Sequence, residues 1–255
     1  MGSLMKMRTS SIDVLKITWI SLWAAIASVI LFLPITITAL LSRTGKLPFT
    51  ISKLWAYVML AVTCVRPVIR GREKINRNQS YIIISNHQSD YDILALVIVL
   101  GIQFRWIIKK ELRKVPLFGY ALYKSRNIFI DRGHGEMAME SIRRGLERLP
   151  HGVSIMFFAE GTRSLDDKIQ PFKKGGFVMA IEKDLPILPV TVNGSRRVLA
   201  KSSLVFSPGP IEVVISDPIE TGEYSVEDLQ RLLDRTREVI ISNFNPHYPH
   251  SGKPS

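Results

Sequence analysis

The residue types with the clearest chemical potential lie in one short stretch, from Asn86 to Asp92. This stretch holds a histidine, His87, and two carboxylates, Asp90 and Asp92, directly after the apolar run at 81–84. A β-branched run of that kind is typical of a buried strand. An imidazole that is oriented by a carboxylate can take a proton from a hydroxyl group, which is half of an acyl-transfer site. The structural alternative is a surface turn whose polar side chains cap the following helix.

Further polar side chains follow other strand-like runs. Lys109 comes at the end of one apolar run, and Arg132 follows the run that begins at residue 127. Open α/β sheets bind ligands at the carboxyl ends of their strands. The pattern therefore predicts a site to which several strand ends contribute.

The apolar run at 153–158 leads into a turn that combines a carboxylate, a glycine, a hydroxyl and a guanidinium. These residues are Glu160, Gly161, Thr162 and Arg163. An arginine presents a planar fork of donors that matches a phosphate group, so Arg163 is a candidate phosphate-binding residue. Glu160 is expected either to hold Arg163 in place or to accept a hydrogen bond from a substrate hydroxyl. A local Glu–Arg surface pair, which contributes little to stability, is the alternative.

Strands and helices alternate along the chain after residue 70. The patterns predict strands at 80–85, 104–108, 127–131, 153–159, 187–192 and 211–216. They predict helices at 91–100, 111–124, 135–149, 174–183 and 225–243. This alternation indicates an α/β fold with a mixed, mostly parallel sheet flanked by helices. Pro189 lies inside the apolar run at 187–192, which indicates an edge strand or a bulge that shapes a pocket wall.

The N-terminal part of the chain is predicted to lie in a membrane. Residues 17–42 carry no charge, and about 20 apolar residues suffice to span a bilayer core. Basic residues on both sides of this run, the interior Pro34 and a short second apolar stretch at 54–65 favour a helical hairpin in one leaflet. A single crossing remains the alternative. The predicted domains are a membrane anchor at 1–66, a catalytic domain at 67–244 and a flexible tail at 245–255.

The charge of the chain agrees with a membrane partner. The formal net charge is +12, and residues 1–70 hold eight basic residues against Asp13 alone, a net +7. Basic residues that flank hydrophobic segments favour anionic lipid, and no nucleic-acid-binding module is recognisable. A single cysteine, Cys64, excludes an internal disulfide and a cysteine metal cluster.

In combination, these motifs resemble those of lysophosphatidate acyltransferases (1-acylglycerol-3-phosphate O-acyltransferases), within the glycerolipid acyltransferase family. The family's His-x4-Asp motif corresponds to His87 and Asp92, and its second block ends at Arg132. Its third block, Glu-Gly-Thr-Arg, corresponds to residues 160–163, and its fourth is the strand around Pro189. The resemblance covers roughly residues 65–220.

The resemblance implies transfer of a fatty acyl group from acyl-CoA or acyl carrier protein to the sn-2 hydroxyl of 1-acylglycerol 3-phosphate (lysophosphatidic acid). The product would be phosphatidic acid, in phospholipid biosynthesis. His87 would act as the base, Asp92 would orient it, and Lys109 or backbone amides would hold the oxyanion. The residues implied in substrate binding are Arg132, Glu160, Gly161, Thr162, Arg163 and Pro189. We expect membrane lipids as partners, with no nucleic acid, no metal and no cofactor beyond the acyl donor.

Some alternatives stay open in the sequence. The acceptor could instead be glycerol 3-phosphate or another lysophospholipid, and an inactive membrane scaffold is a remoter alternative. The catalytic domain is expected on the cytoplasmic face of the cytoplasmic (inner) membrane.

The partner of His87 is a further open question. On a continuous helix His87 would face Asp90, at position i+3, rather than Asp92, at position i+5. The resemblance assigns the partnership to Asp92, which requires His87 to precede the helix.

Overall fold

The computed structural model describes residues 10–42, 44–116, 118–131 and 133–248, so Arg132 and residues 249–255 of the predicted tail lie outside it. The helices are α1 (Ser11–Leu41), α2 (Lys46–Val62), α3 (Tyr91–Val99), α4 (Phe118–Lys124), α5 (Gly135–Glu147), α6 (Gly175–Glu182), α7 (Ser195–Val198) and α8 (Leu229–Ser242). The strands are β1 (Val65–Arg70), β2 (Ile82–Ser85), β3 (Gln103–Lys109), β4 (Ile128–Ile130), β5 (Val153–Phe158), β6 (Ile187–Asn193) and β7 (Gly209–Ile215). Short 3-10 turns lie at Arg72–Lys74 and Lys110–Lys114.

The seven strands form one sheet in the order β1-β7-β6-β2-β5-β3-β4. Every neighbouring pair is parallel except β6 and β7, which run antiparallel. This confirms the predicted mixed, mostly parallel sheet flanked by helices. Strands β2 to β6 point the same way, so the segments that follow β2, β3, β4 and β5 emerge at one edge of the sheet, as the sequence predicted.

Two apolar layers cover the sheet, one on each face. Ile83 of β2 belongs to a core with α2 and α3, while its neighbours Ile82 and Ile84 belong to a second core with α5, α6 and α8. Alternate side chains of a strand point to opposite faces, so one short apolar run serves both layers. Burial on both faces is the reason that β2 and β6 consist almost wholly of apolar residues.

The N-terminal helices α1 and α2 form an antiparallel hairpin that packs on the α3 side of the sheet. The indole nitrogen of Trp19 donates to the carbonyl of Val62 at 2.8 Å, and that of Trp55 donates to the Ser28 hydroxyl at 3.2 Å. Among the described residues, α1 is the one helix long and apolar enough to cross a bilayer. Its outer side chains are largely exposed, as expected for a helix in contact with lipid.

A buried arginine ties the hairpin turn to the sheet. The guanidinium of Arg105 on β3 donates to the carbonyl of Thr44 at 2.8 Å and lies 5.5 Å from the centre of the Phe49 ring. Burial lowers the pKa of Arg105 to about 10. Gly45 has a φ of +69°, and a Cβ there would lie 2.7 Å from the Arg105 guanidinium. Only glycine fits this turn without displacing Arg105.

Three details of the predicted elements are wrong. Strand β1 was missed, since Val65 was taken as the end of the apolar stretch at 54–65 and no strand was predicted before residue 80. The short helix α7 was missed as well, and the predicted helix at 111–124 divides into a 3-10 turn and α4.

Of the two positions predicted for Pro189, an edge strand or a bulge, the edge strand is wrong, because β6 lies in the interior of the sheet, between β2 and β7. The ladder to the β7 side is nevertheless irregular. On β6, Ile187 and Val190 are three positions apart. Their partners on the other strand, Ile219 and Ile215, are four positions apart, so that strand holds one extra residue. Such an extra residue is a bulge, where a proline without an N–H is tolerated. Pro189 is buried within this strand and is part of the core.

Candidate active site

The segment that carries His87 is fixed to the neighbouring strand by a buried asparagine. The side chain of Asn86 donates to the carbonyl of Val192 at 2.9 Å and accepts from the amide of the same residue at 2.8 Å. These two bonds replace the backbone ladder where β2 ends, so the chain leaves the sheet at a defined point. Sequence reasoning did not single out Asn86 for this role, since an asparagine before a histidine carries no signal of its partner.

His87 pairs with Asp92. The imidazole Nδ1 of His87 lies 2.8 Å from the Oδ2 of Asp92, whose side chain is completely buried. The same Oδ2 accepts hydrogen bonds from the amides of Gln88, at 2.7 Å, and Ser89, at 2.9 Å. Three donors thus hold the carboxylate at the start of α3, where the helix dipole also favours a negative charge.

The helix boundary explains why Asp92 rather than Asp90 meets the histidine. Helix α3 begins at Tyr91, so His87 lies in a non-helical segment before it and the i+3 spacing of a helix does not apply. Asp90 instead binds Arg163, with 2.5 Å between its Oδ2 and the Nη1 of the arginine. The pairing agrees with the family resemblance, while the catalytic roles of both residues stay predictions.

The imidazole of His87 is stacked on an aromatic side chain. Its ring centre lies 3.7 Å from that of Phe158, with the planes 8° apart, and Phe158 in turn stacks on Trp106 at 5.5 Å. One face of the imidazole is therefore covered, and Asp92 engages Nδ1, which leaves Nε2 for proton transfer. Neither aromatic residue was predicted as part of the site, because the contact depends on the register of β2, β5 and β3.

Glu160 holds the main chain of the histidine segment. Its Oε1 accepts from the amide of His87 at 2.6 Å, and its Oε2 accepts from the Ser164 hydroxyl and the Gln170 amide, both at 2.8 Å. Burial raises the pKa of Glu160, although these hydrogen bonds oppose the shift. The expected bond to Arg163 is wrong, because the guanidinium binds Asp90 instead. A bond from Glu160 to a substrate hydroxyl stays a prediction.

The turn after Glu160 presents Arg163 beside the histidine segment. Gly161 has a φ of +73°, a conformation that favours glycine and lets the chain reverse direction. Lys201 supports the turn, since its ammonium donates to the carbonyl of Arg163 at 2.7 Å and to the hydroxyl of Thr162 at 3.1 Å. Lys201 lies far away in sequence and was not predicted. The guanidinium of Arg163 is partly exposed, so an incoming anion can reach it.

Lys109 lies at the same sheet edge, at the end of β3. Its ammonium is exposed and lies 3.9 Å from a carboxylate oxygen of Glu111. In the sheet order, β5 separates β3 from the strand that leads to His87. The predicted oxyanion role of Lys109 therefore stays a prediction, as does the role of Arg132, which is outside the described residues.

An apolar cavity of about 380 Å³ opens beside the aromatic stack. It lies between the helical hairpin, α3, α4 and β3, with a lining that includes Leu31, Phe32, Phe49, Leu94, Trp106 and Leu122. Trp106 belongs both to this lining and to the stack that ends at His87. The imidazole of His87 and the apolar space are therefore joined by one continuous aromatic wall.

Taken with the sheet, this geometry defines a class of protein: an α/β enzyme with a His–Asp pair, an apolar cavity and an attached helical hairpin. Comparisons with known proteins agree with that class. Residues 66–193 match the family model described as Acyltransferase. The chain belongs to the acyltransferase family.

Three individual relatives from different organisms are all acyltransferases by name. An uncharacterized acyltransferase of Schizosaccharomyces pombe is 34% identical over 74% of this chain and 69% of its own length. The chloroplastic 1-acyl-sn-glycerol-3-phosphate acyltransferase BAT2 of Brassica napus is 31% identical over 76% of this chain and 55% of its own. Human 1-acyl-sn-glycerol-3-phosphate acyltransferase alpha is 31% identical over 71% of this chain and 64% of its own length. The match thus spans between about half and two thirds of these relatives.

A solved structure supports the fold over nearly the whole chain. The 1-acyl-sn-glycerophosphate acyltransferase of Thermotoga maritima superposes with a TM-score of 0.77 and 25% sequence identity. The superposition covers 89% of this chain and 92% of the other.

Proposed function

We propose that this protein transfers a fatty acyl group from a thioester to the sn-2 hydroxyl of 1-acylglycerol 3-phosphate and so forms phosphatidic acid. The observation that carries the proposal is the continuous wall from the His87–Asp92 pair to the apolar cavity. A base beside an apolar space suits a reaction that joins a hydroxyl to a fatty acyl group. The names of the relatives from Brassica napus, human and Thermotoga maritima support this acceptor.

In this reaction, Nε2 of His87 removes the proton of the acceptor hydroxyl as its oxygen attacks the thioester carbonyl. A C–O bond forms, the C–S bond breaks, and the proton passes from the imidazolium to the departing thiolate. Asp92 keeps Nδ1 protonated and stabilises the imidazolium during the step. Base catalysis of this kind contributes about 10²–10⁴-fold to the rate. The thioester is acyl-CoA or acyl-acyl carrier protein, and no protein nucleophile takes part.

Two negatively charged groups in the reaction need partners: the phosphate of the acceptor and the oxyanion of the tetrahedral intermediate. Arg163, supported by Lys201, lies beside the histidine segment with a partly exposed guanidinium, which suits the phosphate of the acceptor. Arg132 is proposed to contribute to the same phosphate. The oxyanion of the tetrahedral intermediate needs donors, for which backbone amides and Lys109 are the candidates.

The packing of α1 supports a hairpin in one leaflet rather than a single crossing. Ser28, Leu31 and Phe32, near the centre of the apolar run, line the cavity together with Trp106 of the sheet. A helix that crossed the bilayer would place these central residues, and the catalytic domain packed on them, at membrane mid-depth. That position would bury charged groups of the domain at high cost. We therefore infer that the N-terminus and the catalytic domain share the cytoplasmic face of the cytoplasmic membrane.

Labelling of a cysteine at position 8 in a Cys64→Ser background tests this topology. The hairpin predicts that a membrane-impermeant reagent reaches position 8 only from the side that holds the catalytic domain. Labelling from the opposite side of intact cells would contradict it.

The acceptor is tested with purified protein and labelled acyl-CoA or acyl-acyl carrier protein. Lysophosphatidic acid, glycerol 3-phosphate and lysophosphatidylcholine are compared as acceptors. We expect the highest kcat/KM with lysophosphatidic acid and labelled phosphatidic acid as product. A higher kcat/KM with either other acceptor would assign the chain a different specificity, and absence of transfer to all three would contradict the proposal.

A further inference from the structure

A second apolar surface lies on the catalytic domain, around α4. Its exposed apolar and aromatic side chains are each 41–45% exposed and comprise Leu112, Val115, Phe118, Tyr120 and Tyr123. These residues, together with the basic residues Arg113, Lys114 and Lys124 among them, are called the α4 surface below. Isolated exposed apolar residues are common, whereas a cluster of five within twelve positions marks an interaction surface.

The α4 surface adjoins the lipid-facing part of the hairpin. Helix α4 packs against α1, and Phe118 and Leu122 line the cavity together with Phe32. On α1, the neighbouring Val29 and Leu33 are 67% and 61% exposed. Because α4 packs on this helix, a partner that covers the exposed side of α1 extends toward α4, and in the proposed topology that partner is lipid.

The charge of the segment matches an anionic surface. Residues 109–126 hold six basic residues and one acidic residue, so this short stretch carries a net +5 of the chain's +12. The guanidinium of Arg113 lies 4.0 Å from the Tyr123 ring centre, and the Lys124 ammonium lies 5.5 Å from that of Tyr120. Across the described part of the chain, no carboxylate lies within 4.0 Å of the charged groups of Arg113, Lys114 or Lys124.

We propose that the α4 surface is a second membrane contact, which places its aromatic rings at headgroup depth and binds anionic lipid headgroups through its basic residues. Tyrosine and basic residues prefer the interface between hydrocarbon and water, and each basic residue near an anionic surface adds to binding. An acidic protein would also meet the charge, but the exposed apolar side chains and their continuity with α1 favour lipid. The proposal concerns binding and is independent of which acceptor is acylated.

Site-specific fluorescence tests the depth of the surface. In full-length Cys64→Ser protein, Tyr123→Cys carries a polarity-sensitive label, and Val226→Cys, before α8, carries the same label as a control. We expect a blue shift at position 123 on reconstitution into vesicles, and quenching there by brominated lipid, with neither effect at position 226. Aqueous emission at both positions would overturn the proposal.

Charge removal tests the headgroup preference. Arg113→Gln with Lys124→Gln is compared with Arg231→Gln and Arg235→Gln on α8, where both arginines contact Tyr224. The measured quantity is the partitioning into phosphatidylcholine vesicles that contain phosphatidylglycerol, divided by the partitioning into vesicles that do not. The apolar contribution of the hairpin cancels in this ratio, and its basic residues contribute equally to wild type and to each variant. About a fivefold fall for each basic residue removed is expected in the α4 variant alone.

An equal fall in both double variants would show a general charge effect and overturn the proposal. The proposal would also be overturned if the α4 variant kept the partitioning ratio of wild type but bound acyl carrier protein more weakly. That result would identify an acidic protein as the partner. Thermal unfolding of each variant shows whether it is folded. Because all of these readouts are binding measurements, their outcome is separate from that of the acyl-transfer assay.

Discussion

Replacement of Asp92 by asparagine tests how the His–Asp pair works. In the structure, Oδ2 of Asp92 accepts from His87 and from the amides of Gln88 and Ser89. The two amides can only donate, so the oxygen of the new amide group must keep this position and still accept from Nδ1 of His87. The tautomer of His87 is therefore preserved in Asp92→Asn, and what is lost is the negative charge.

The size of the effect follows from that charge. Two unit charges about 4 Å apart interact by about 4 kcal/mol at an effective dielectric constant of about 20. The imidazole is partly exposed, with 13% of its side-chain surface accessible, so this value is an upper limit. A loss of about 2–4 kcal/mol of imidazolium stabilisation lowers kcat by about 30–1,000-fold. If the amide instead turned its NH2 toward the histidine, it would impose the wrong tautomer and the loss would approach about 10⁴-fold.

The assay is steady-state transfer of labelled acyl groups by purified variants, with Asp90→Asn as the matched control. Asp90 is more than half exposed and binds Arg163, so the loss of its charge removes a screened surface pair worth about 0.2–1 kcal/mol. We expect less than about a tenfold change for Asp90→Asn. A more severe loss in Asp90→Asn than in Asp92→Asn would refute the assigned pairing.

Three further variants probe the rest of the site. Arg163→Ala should raise the KM for lysophosphatidic acid and leave that for the acyl donor nearly unchanged; a raised donor KM would instead assign Arg163 to the donor phosphates. Glu160→Gln should lower stability by about 1–3 kcal/mol, because one buried donor loses its acceptor. Since burial raises the pKa of Glu160, wild-type stability falls as pH rises through that value, and chemical denaturation of Glu160→Gln should lack this fall. Phe158→Leu should lower kcat with little change in either KM, whereas Phe158→Tyr, which keeps the stacked ring, should retain most activity; equal loss in both would contradict an orienting role of the stack.

The sequence was sufficient for six of the seven strands and for the edge of the sheet that carries the site. Strands β2 to β7 are apolar runs of ordinary length between turn residues, and parallel strands bring their carboxyl ends together. His87, Glu160 and Arg163 were therefore predictable as neighbours before any contact was known. Strand β1 was missed because Val65–Arg70 contains two arginines and a proline and follows an apolar helix without a break.

Contacts between distant segments were not predictable in this way. The stack of His87 on Phe158 depends on the register that sets Ser85 beside Phe158, and a single residue of slip would turn the ring to the other face. The contacts by which Glu160 holds the main chain were not predictable, because its three donors come from the backbone and from a serine, which give no pattern in sequence. Lys201 supports Arg163 from 38 residues away.

The central claim is that His87 is the base of an acyl transfer to lysophosphatidic acid. The most direct measurement is the turnover of purified His87→Ala with labelled acyl thioester and lysophosphatidic acid, beside wild type in the same lipid. The histidine segment stays fixed through the side chains of Asn86 and Glu160, so the variant is expected to fold. We predict that phosphatidic acid formation falls by at least about 10²-fold in His87→Ala with its thermal unfolding little changed. Turnover close to that of wild type in the folded variant would contradict the account.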